Sequence, residues 1–342
     1  MKDNSRCILL IYTGGTIGMQ KNTETGALES FDFENLLEKI PELKLLDCAI
    51  EHCSLKQPLD SSDIDLPIWQ EIAGLIEKNY EGYFGFVVLH GSDTMSYTAS
   101  ALSFMLENLG KPVILTGSQL PIGDLRTDAK ENLITAIQLA ALANGSLPSI
   151  REVGLYFEYK LYRGNRTSKI SASHFEAFTS PNFPPLAESG VELNVNAAKL
   201  FSPQQKKMRV HYAMRSDILI VHLFPGMDSG LISQLFKKTT YSGVLLQTFG
   251  SGNAPTAKWF LNLIEKTVAS GIPVVNVTQC IWGKVEMGNY STSTHLKRLG
   301  VVSARDMTTE AALCKMMYLL SQELTPAVFK TIFETSLRGE CG

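Results

Sequence analysis

The sequence predicts an α/β protein: a first domain built on a mostly parallel sheet and a second α/β domain after it. Three observations carry that expectation. The chain has 342 residues, beyond the length at which one core usually stops growing. Short apolar runs rich in β-branched residues alternate with amphipathic segments of helical period, which is the pattern of βαβ units. Three of these runs end in glycine and polar side chains: Thr13-Gly14-Gly15-Thr16, Gly91-Ser92-Asp93 and Gly117-Ser118-Gln119. Parallel strands bring such ends to one edge, where open α/β sheets bind their ligands.

The first strand is Cys7 to Tyr12, broken by Gly14 and Gly15. Without Cβ atoms these glycines let backbone amides approach a ligand and leave space in front of Thr16. The same residues also read as a glycine turn with a capping threonine. Residues 19–31 are polar around Gly26 and read as a mobile lid or as a surface hairpin. A helix near 33–39 and a strand near 46–54 follow. Asp60, Ser61, Ser62 and Asp63 then precede a helix near 66–79. Capping accounts for one or two of these short polar residues, not four.

Gly85 to His90 is a near-continuous apolar run, hence a strand buried on both faces. A helix to about Leu109, a strand over 112–116, a helix from about Thr127 to Ala143 and a strand over 153–158 come next. Tyr162 to Lys169 is rich in cations and side-chain donors, and reads as functional or as a solvated basic turn. The stretch 178–210 is rich in Pro, Asn and Ser and sets the division: an N-terminal domain over 1–190, a linker over 191–212 and a C-terminal domain over 213–342. The second domain repeats the pattern, with strands near 217–223, 243–249 and 273–278. Its helices fall near 228–236, 255–270, 308–321 and 325–337. Asn253 before Ala254 and Pro255 marks a helix start.

Composition excludes several partners. With a net charge of −3 and no dense Lys/Arg run, the chain has no electrostatic footprint for nucleic acid or anionic membrane. Its longest apolar runs fall far short of a bilayer span. The N-terminal run is shorter than a signal-peptide core, so a cytoplasmic location is expected. The six cysteines show no CxxC spacing and the six histidines no HxxxH or HExxH pair. No metal and no cofactor are expected, and a small molecule is the expected partner.

Hydroxyl side chains need a base, or a relay to one, to become nucleophiles. No G-x-S-x-G elbow is present, and His90 ends a buried strand as a core histidine would. Lys169 beside Asp93 offers another relay, able to activate Ser92 or Thr16. That set suits acyl transfer on an amide or ester, with loop amides stabilising the oxyanion. Asp60, Ser61 and Ser62 provide a carboxylate for an ammonium and hydroxyls for a carboxylate, which fits a free amino acid.

The motifs Tyr12-Thr-Gly-Gly-Thr-Ile-Gly-Met19, Leu59-Asp-Ser-Ser-Asp63, Leu89-His-Gly-Ser-Asp-Thr-Met95, Thr116-Gly-Ser-Gln119, Leu161-Tyr-Arg-Gly-Asn-Arg-Thr167 with Lys169, and Val277-Thr-Gln-Cys280 resemble the bacterial-type L-asparaginases, type I branch. The resemblance runs from about residue 8 to 338. It implies a larger N-terminal and a smaller C-terminal α/β domain, and hydrolysis of L-asparagine to L-aspartate and ammonia through a threonine acyl-enzyme. By resemblance Thr16 is the nucleophile, Ser92, Asp93 and Lys169 assist proton transfer, and Asp60, Ser61 and Ser62 with Ser92 and Asp93 bind the substrate. A homodimer or dimer of dimers is implied. An asparaginase-like amidotransferase subunit and a non-catalytic amino-acid sensor are the alternatives.

Three departures from the family pattern bear on these expectations. Ser92 stands where the family usually has threonine, and Ala27 where some members carry a lid tyrosine, so either Phe31 helps close the site or the lid closes differently here. Thr278, Gln279 and Cys280 match a regulatory segment, but the adjoining strand has Gln247 in place of an arginine. Glutamine cannot make the bidentate charged contact with a carboxylate, so regulation of that form is not expected.

Overall fold

A computed structural model describes residues 3–21, 28–30, 40–202, 206–237, 240–288 and 291–342. The expected helix near 33–39, and Ala27 and Phe31, lie outside the described residues. The chain divides into two compact units, Met1–Tyr212 and Ala213–Gly342.

The first unit holds an eight-stranded sheet. Its strands in chain order are β1 (Asp3–Gly14), β2 (Cys48–Leu59), β3 (Gly85–Leu89), β4 (Val113–Thr116), β5 (Val153–Phe157), β6 (Lys160–Arg163), β7 (Ala187–Ser189) and β8 (Leu193–Val195). The spatial order is β8-β7-β6-β5-β4-β3-β1-β2. The pairs from β2 through β5 are parallel, while β5 to β8 continue antiparallel. Ile8 faces Gly85 and Tyr12 faces Leu89 in the β1–β3 register. That register brings the ends of β1 and β3 level.

The crossovers are α1 (Leu66–Asn79), α2 (Met95–Met105) and α3 (Ala129–Ala141). Asp65 caps α1 by accepting from the Ile68 amide at 3.3 Å, with Pro67 in the first turn. Helix α3 packs Leu133, Ala136, Ile137 and Ala140 over Ile8, Leu10, Val87, Leu89 and Ile114. Leu9, Ile11, Phe86, Val88 and Leu115 alternate onto the opposite face and are equally buried. Strands covered on both faces read as unbroken apolar runs rather than as alternation.

Residues 191–212, expected as a linker, belong to the first unit. Leu193–Val195 extends the main sheet, and Arg209–Val210 pairs antiparallel with Leu106–Glu107. The cause is backbone pairing, which polar, proline-containing sequence does not advertise.

The second unit is a four-stranded parallel sheet in the order β9-β10-β11-β12, made of β9 (Ile218–His222), β10 (Gly243–Thr248), β11 (Val274–Thr278) and β12 (Val302–Ser303). Its helices are α4 (Ser229–Lys237), α5 (Lys258–Ala269), α6 (Ser291–Arg298), α7 (Thr309–Leu320) and α8 (Pro326–Phe333). Phe260 and Ile264 of α5 pack on Val221, Val244, Leu246 and Val274. The expected helix start at Asn253 is not one, because α5 begins at Lys258. Asn253 instead closes a tight turn with Phe249, through Gly250 and Gly252 at positive φ.

Lys315 of α7 is wholly buried. Its Nζ donates to the carbonyls of Phe333 at 2.7 Å and Thr335 at 2.6 Å, and pairs with Glu340, also wholly buried. Burial opposes ionisation of Glu340. The Lys315 charge and the amides of Leu337 and Arg338 nevertheless hold its carboxyl below the ordinary range.

Among the described residues no helix is long and apolar enough to cross a membrane.

Candidate active site

Strands β1, β2, β3 and β4 run parallel, so the loops after Gly14, Leu59, Leu89 and Thr116 leave the same edge. Their glycines let them touch. A Cβ on Gly14, at φ 115°, would collide with the Leu59 carbonyl. A Cβ on Gly15, at φ 87°, would lie 2.5 Å from the Cα of Gly91, and one on Gly91 would lie 2.6 Å from Ser61 Oγ. Three loops therefore close on one another without side chains between them. Thr16 follows Gly15 and opens a short 3₁₀ turn over Thr16–Gly18. It is half-buried, whereas Thr13 is buried and donates to the Leu89 carbonyl at 2.9 Å. Of the two threonines, only Thr16 keeps partial exposure.

Ser92, Asp93 and Lys169 come together. Lys169 Nζ donates to Ser92 Oγ at 2.9 Å and to Asp93 Oδ1 at 2.5 Å. The lysine side chain is 16% exposed against 67% for Asp93, so the pair joins a largely buried cation to an exposed carboxylate. Lys169 stands on a two-stranded ribbon, Ser168–Lys169 with Phe178–Thr179. The segment before it is not a solvated basic turn. Arg163, Asn165, Arg166 and Thr167 are buried, and Arg163 donates to Glu152 at 2.6 Å while covering the Phe183 ring at 4.4 Å. Arg166 also lies over the Phe183 ring, at 5.2 Å, so both cations face protein rather than solvent.

Asp60 precedes the short 3₁₀ turn Ser61–Asp63 and accepts from the Ser62 amide at 2.8 Å and the Ser62 hydroxyl at 2.7 Å. Those two hydrogen bonds hold its carboxyl below the ordinary range. Asp60 and Ser62 are exposed, while Ser61 is buried under Gly91 and its carbonyl accepts from Thr94 Oγ1 at 2.7 Å.

His90 is buried, its Nε2 2.8 Å from Thr98 Oγ1 and its Nδ1 2.6 Å from the Gly91 carbonyl. Burial lowers its pKa to about 4, so the ring is neutral and acts as a strut beneath the Gly91 turn. Asp128 was not singled out in the sequence. It receives the amides of Gln119 at 2.9 Å and Leu120 at 3.1 Å, fixing the loop after β4. Gln119 in turn accepts from Ser92 Oγ at 3.0 Å. The Thr116-Gly-Ser-Gln119 motif was the available signal for this contact.

Family models match in two parts, "Asparaginase, N-terminal" over residues 7–201 and "Glutaminase/Asparaginase C-terminal domain" over residues 217–333. The chain belongs to the asparaginase family. Among its relatives within and around that family, L-asparaginase 1 of Escherichia coli K12 is 43% identical, with 98% of each chain covered. The 60 kDa lysophospholipase of Mus musculus is 40% identical over 98% of this chain and 62% of its own length. The crystal structure of L-asparaginase I from Vibrio cholerae O1 superposes with a TM-score of 0.89 at 41% identity, covering 98% of this chain and 99% of that one.

Within this asparaginase-family fold the segment Thr278–Cys280 follows from the end of β11. Thr278 Oγ1 donates to the Gly250 carbonyl at 2.5 Å, and Gln279 Nε2 donates to the carbonyls of Leu223 at 2.6 Å and Gln247 at 2.8 Å. Cys280 is exposed. The Gln247 side chain lies between His222 Nδ1 at 3.2 Å and Thr309 Oγ1 at 3.2 Å. Among the described residues no group of three or more His, Cys, Asp or Glu is arranged to hold a metal.

Proposed function

We propose that the protein is an L-asparaginase that hydrolyses L-asparagine to L-aspartate and ammonia, with Thr16 as nucleophile. The observation that carries the residue assignment is the Lys169 ammonium bonded to both Ser92 and Asp93, on the edge where the Thr16 loop packs against Gly91. In this reading the Thr16 hydroxyl adds to the side-chain amide carbon and its proton passes toward the leaving nitrogen. Ammonia departs, an acyl-threonine ester remains, and water cleaves it to restore the hydroxyl. Ser92 and Lys169 move the proton, and Asp93 balances the lysine charge. The Asp60 carboxylate receives the substrate ammonium, while Ser61 and Ser62 face its carboxylate. Backbone amides of the glycine loops offer oxyanion stabilisation.

The same reading carries a homodimer or dimer of dimers and a cytoplasmic location. Exposed Ile220, Phe224, Leu231 and Trp282 in the second unit support self-association. Sedimentation of the purified protein tests it.

The functional test is a steady-state ammonia assay with asparagine and with glutamine, repeated on Thr16→Ala. Ammonia release from asparagine that disappears in the variant, while aspartate still binds, is the expected result. Full activity in Thr16→Ala overturns the nucleophile assignment.

A further inference from the structure

We propose that Gln119 is a positioning residue, whose one side-chain amide holds Ser92 and Lys169 in register for the reaction. The inference rests on the functional reading above. Gln119 Oε1 accepts from Ser92 Oγ at 3.0 Å, and Gln119 Nε2 donates to the His174 carbonyl at 3.0 Å. His174 lies in the connection between Ser168–Lys169 and Phe178–Thr179, the ribbon that carries the lysine. Lys169 Nζ donates back to Ser92 Oγ at 2.9 Å. The four groups thus form a closed circuit: hydroxyl, amide, ribbon, ammonium.

The circuit has a direction. The Ser92 proton points to Gln119, so the oxygen presents a lone pair to Lys169. Serine lacks the γ-methyl that restricts threonine, and its χ1 has three staggered wells open to it. Here one hydrogen bond donated to Gln119 and one accepted from Lys169 restrain it. Gln119 is itself anchored through its backbone. Its amide and that of Leu120 bind the Asp128 carboxylate, and Asn132 Nδ2 reaches the same carboxylate at 3.2 Å. Replacing the Gln119 side chain therefore cuts the circuit while leaving the loop's own anchorage in place.

The experiment is a double-mutant cycle of Gln119→Met and Ser92→Thr, read as kcat and KM for asparagine, with crystal structures of the wild type and Gln119→Met. Gln119→Met is expected to lower kcat about tenfold to a hundredfold, as a small misplacement of reacting groups does, with KM changed much less. The loss is expected to be several-fold smaller in the Ser92→Thr background, where the methyl restores the rotamer restraint. The crystal structure of Gln119→Met is expected to show Ser92 Oγ out of hydrogen-bond reach of Lys169 Nζ or the 170–177 connection displaced. An equal loss in both backgrounds, or a variant structure with the Ser92–Lys169 contact and the connection unchanged, overturns the proposal. Failure of the wild type to release ammonia overturns the functional reading instead, and the two crystal structures then decide the positioning alone.

Discussion

Gly15 lies against Gly91 so closely that a Cβ on the first would stand 2.5 Å from both the Cα and the amide nitrogen of the second. The loop bearing Thr16 and the loop bearing Ser92 are thereby joined backbone to backbone. Gly15→Ala combines that collision with an unfavourable φ of 87°. It is expected to cost roughly 2–4 kcal/mol and to abolish turnover. Gly145→Ala, at φ 65° with no atom within 4 Å of its Cβ, is expected to cost only about 1–2 kcal/mol and to leave activity intact. Urea denaturation with parallel ammonia assays separates the two.

In the proposed mechanism Lys169 holds and releases a proton, so the nature of its charge matters as much as its presence. Lys169→Met is expected to reduce kcat by about 10²–10⁴, the range for a lost acid–base group. Lys169→Arg retains the positive charge near Asp93 but does not titrate in proteins. It should therefore recover little of the rate, and kcat within threefold of wild type in that variant contradicts the proton-transfer role.

His90 ties stability to pH on the acid side. Burial lowers its folded pKa from 6.5 to about 4, so between those values the unfolded chain binds the extra proton. Its contribution is fully present above pH 6.5 and is lost as pH falls toward 4, on the order of 3 kcal/mol in all. Denaturation midpoints of wild type and His90→Gln should diverge across that window, the variant showing the flatter profile.

Glu158 acts in the opposite sense. Burial, then the charges of Asp128, Glu131 and Glu176, raise its pKa from 4.5 to about 7. The folded state keeps this proton after the unfolded state has lost it. The associated stability is present below pH 4.5 and is lost as pH rises through 7. Glu158→Gln mimics the protonated form, so it should be more stable than wild type at pH 8 and match it at pH 4.5. Thermal melts at those two values check the sign.

The parallel strands other than the two-residue β12, and the helices α1, α2, α3, α4, α5, α7 and α8, were legible because strands buried on both faces and amphipathic helices leave strong periodic traces. Strands β6, β7 and β8 were not, since β6 follows a hairpin turn at Glu158 and Tyr159, both at positive φ without a glycine to announce it. Helix α6, Ser-Thr-Ser-Thr-His-Leu-Lys-Arg, is almost wholly polar and gave no apolar stripe. The site was legible where chemistry falls at strand ends, as with Thr16, Ser92 and Asp93. Gln119 stood in a glycine-hydroxyl motif at the end of β4, but Asp128, which accepts the amides of Gln119 and Leu120, lies in no local pattern that points to the site. Gln247 remains a matter for kinetics: hyperbolic asparagine saturation is expected, and a sigmoidal curve would return regulation to the Thr278–Cys280 segment.

The Lys315–Glu340 pair is wholly buried, and breaking it from one side is expected to be worse than replacing it. Lys315→Met leaves a buried carboxylate without its cation and should cost about 3–5 kcal/mol, of which the Lys315→Met/Glu340→Leu double variant recovers a large part. Equal destabilisation in both variants, measured by urea denaturation, would count against the pairing as the cause.

That same pair sets an order of events during synthesis. Lys315 is added 25 residues before Glu340, and an ammonium buried without its partner is strongly unfavourable. Until residue 340 has been added, helix α7 cannot settle against β10 without leaving that charge stranded. The second unit is therefore expected to lock only once Glu340 has joined the chain, whereas the first unit, with Thr16, Ser92 and Lys169 already made, can bring its candidate site together earlier.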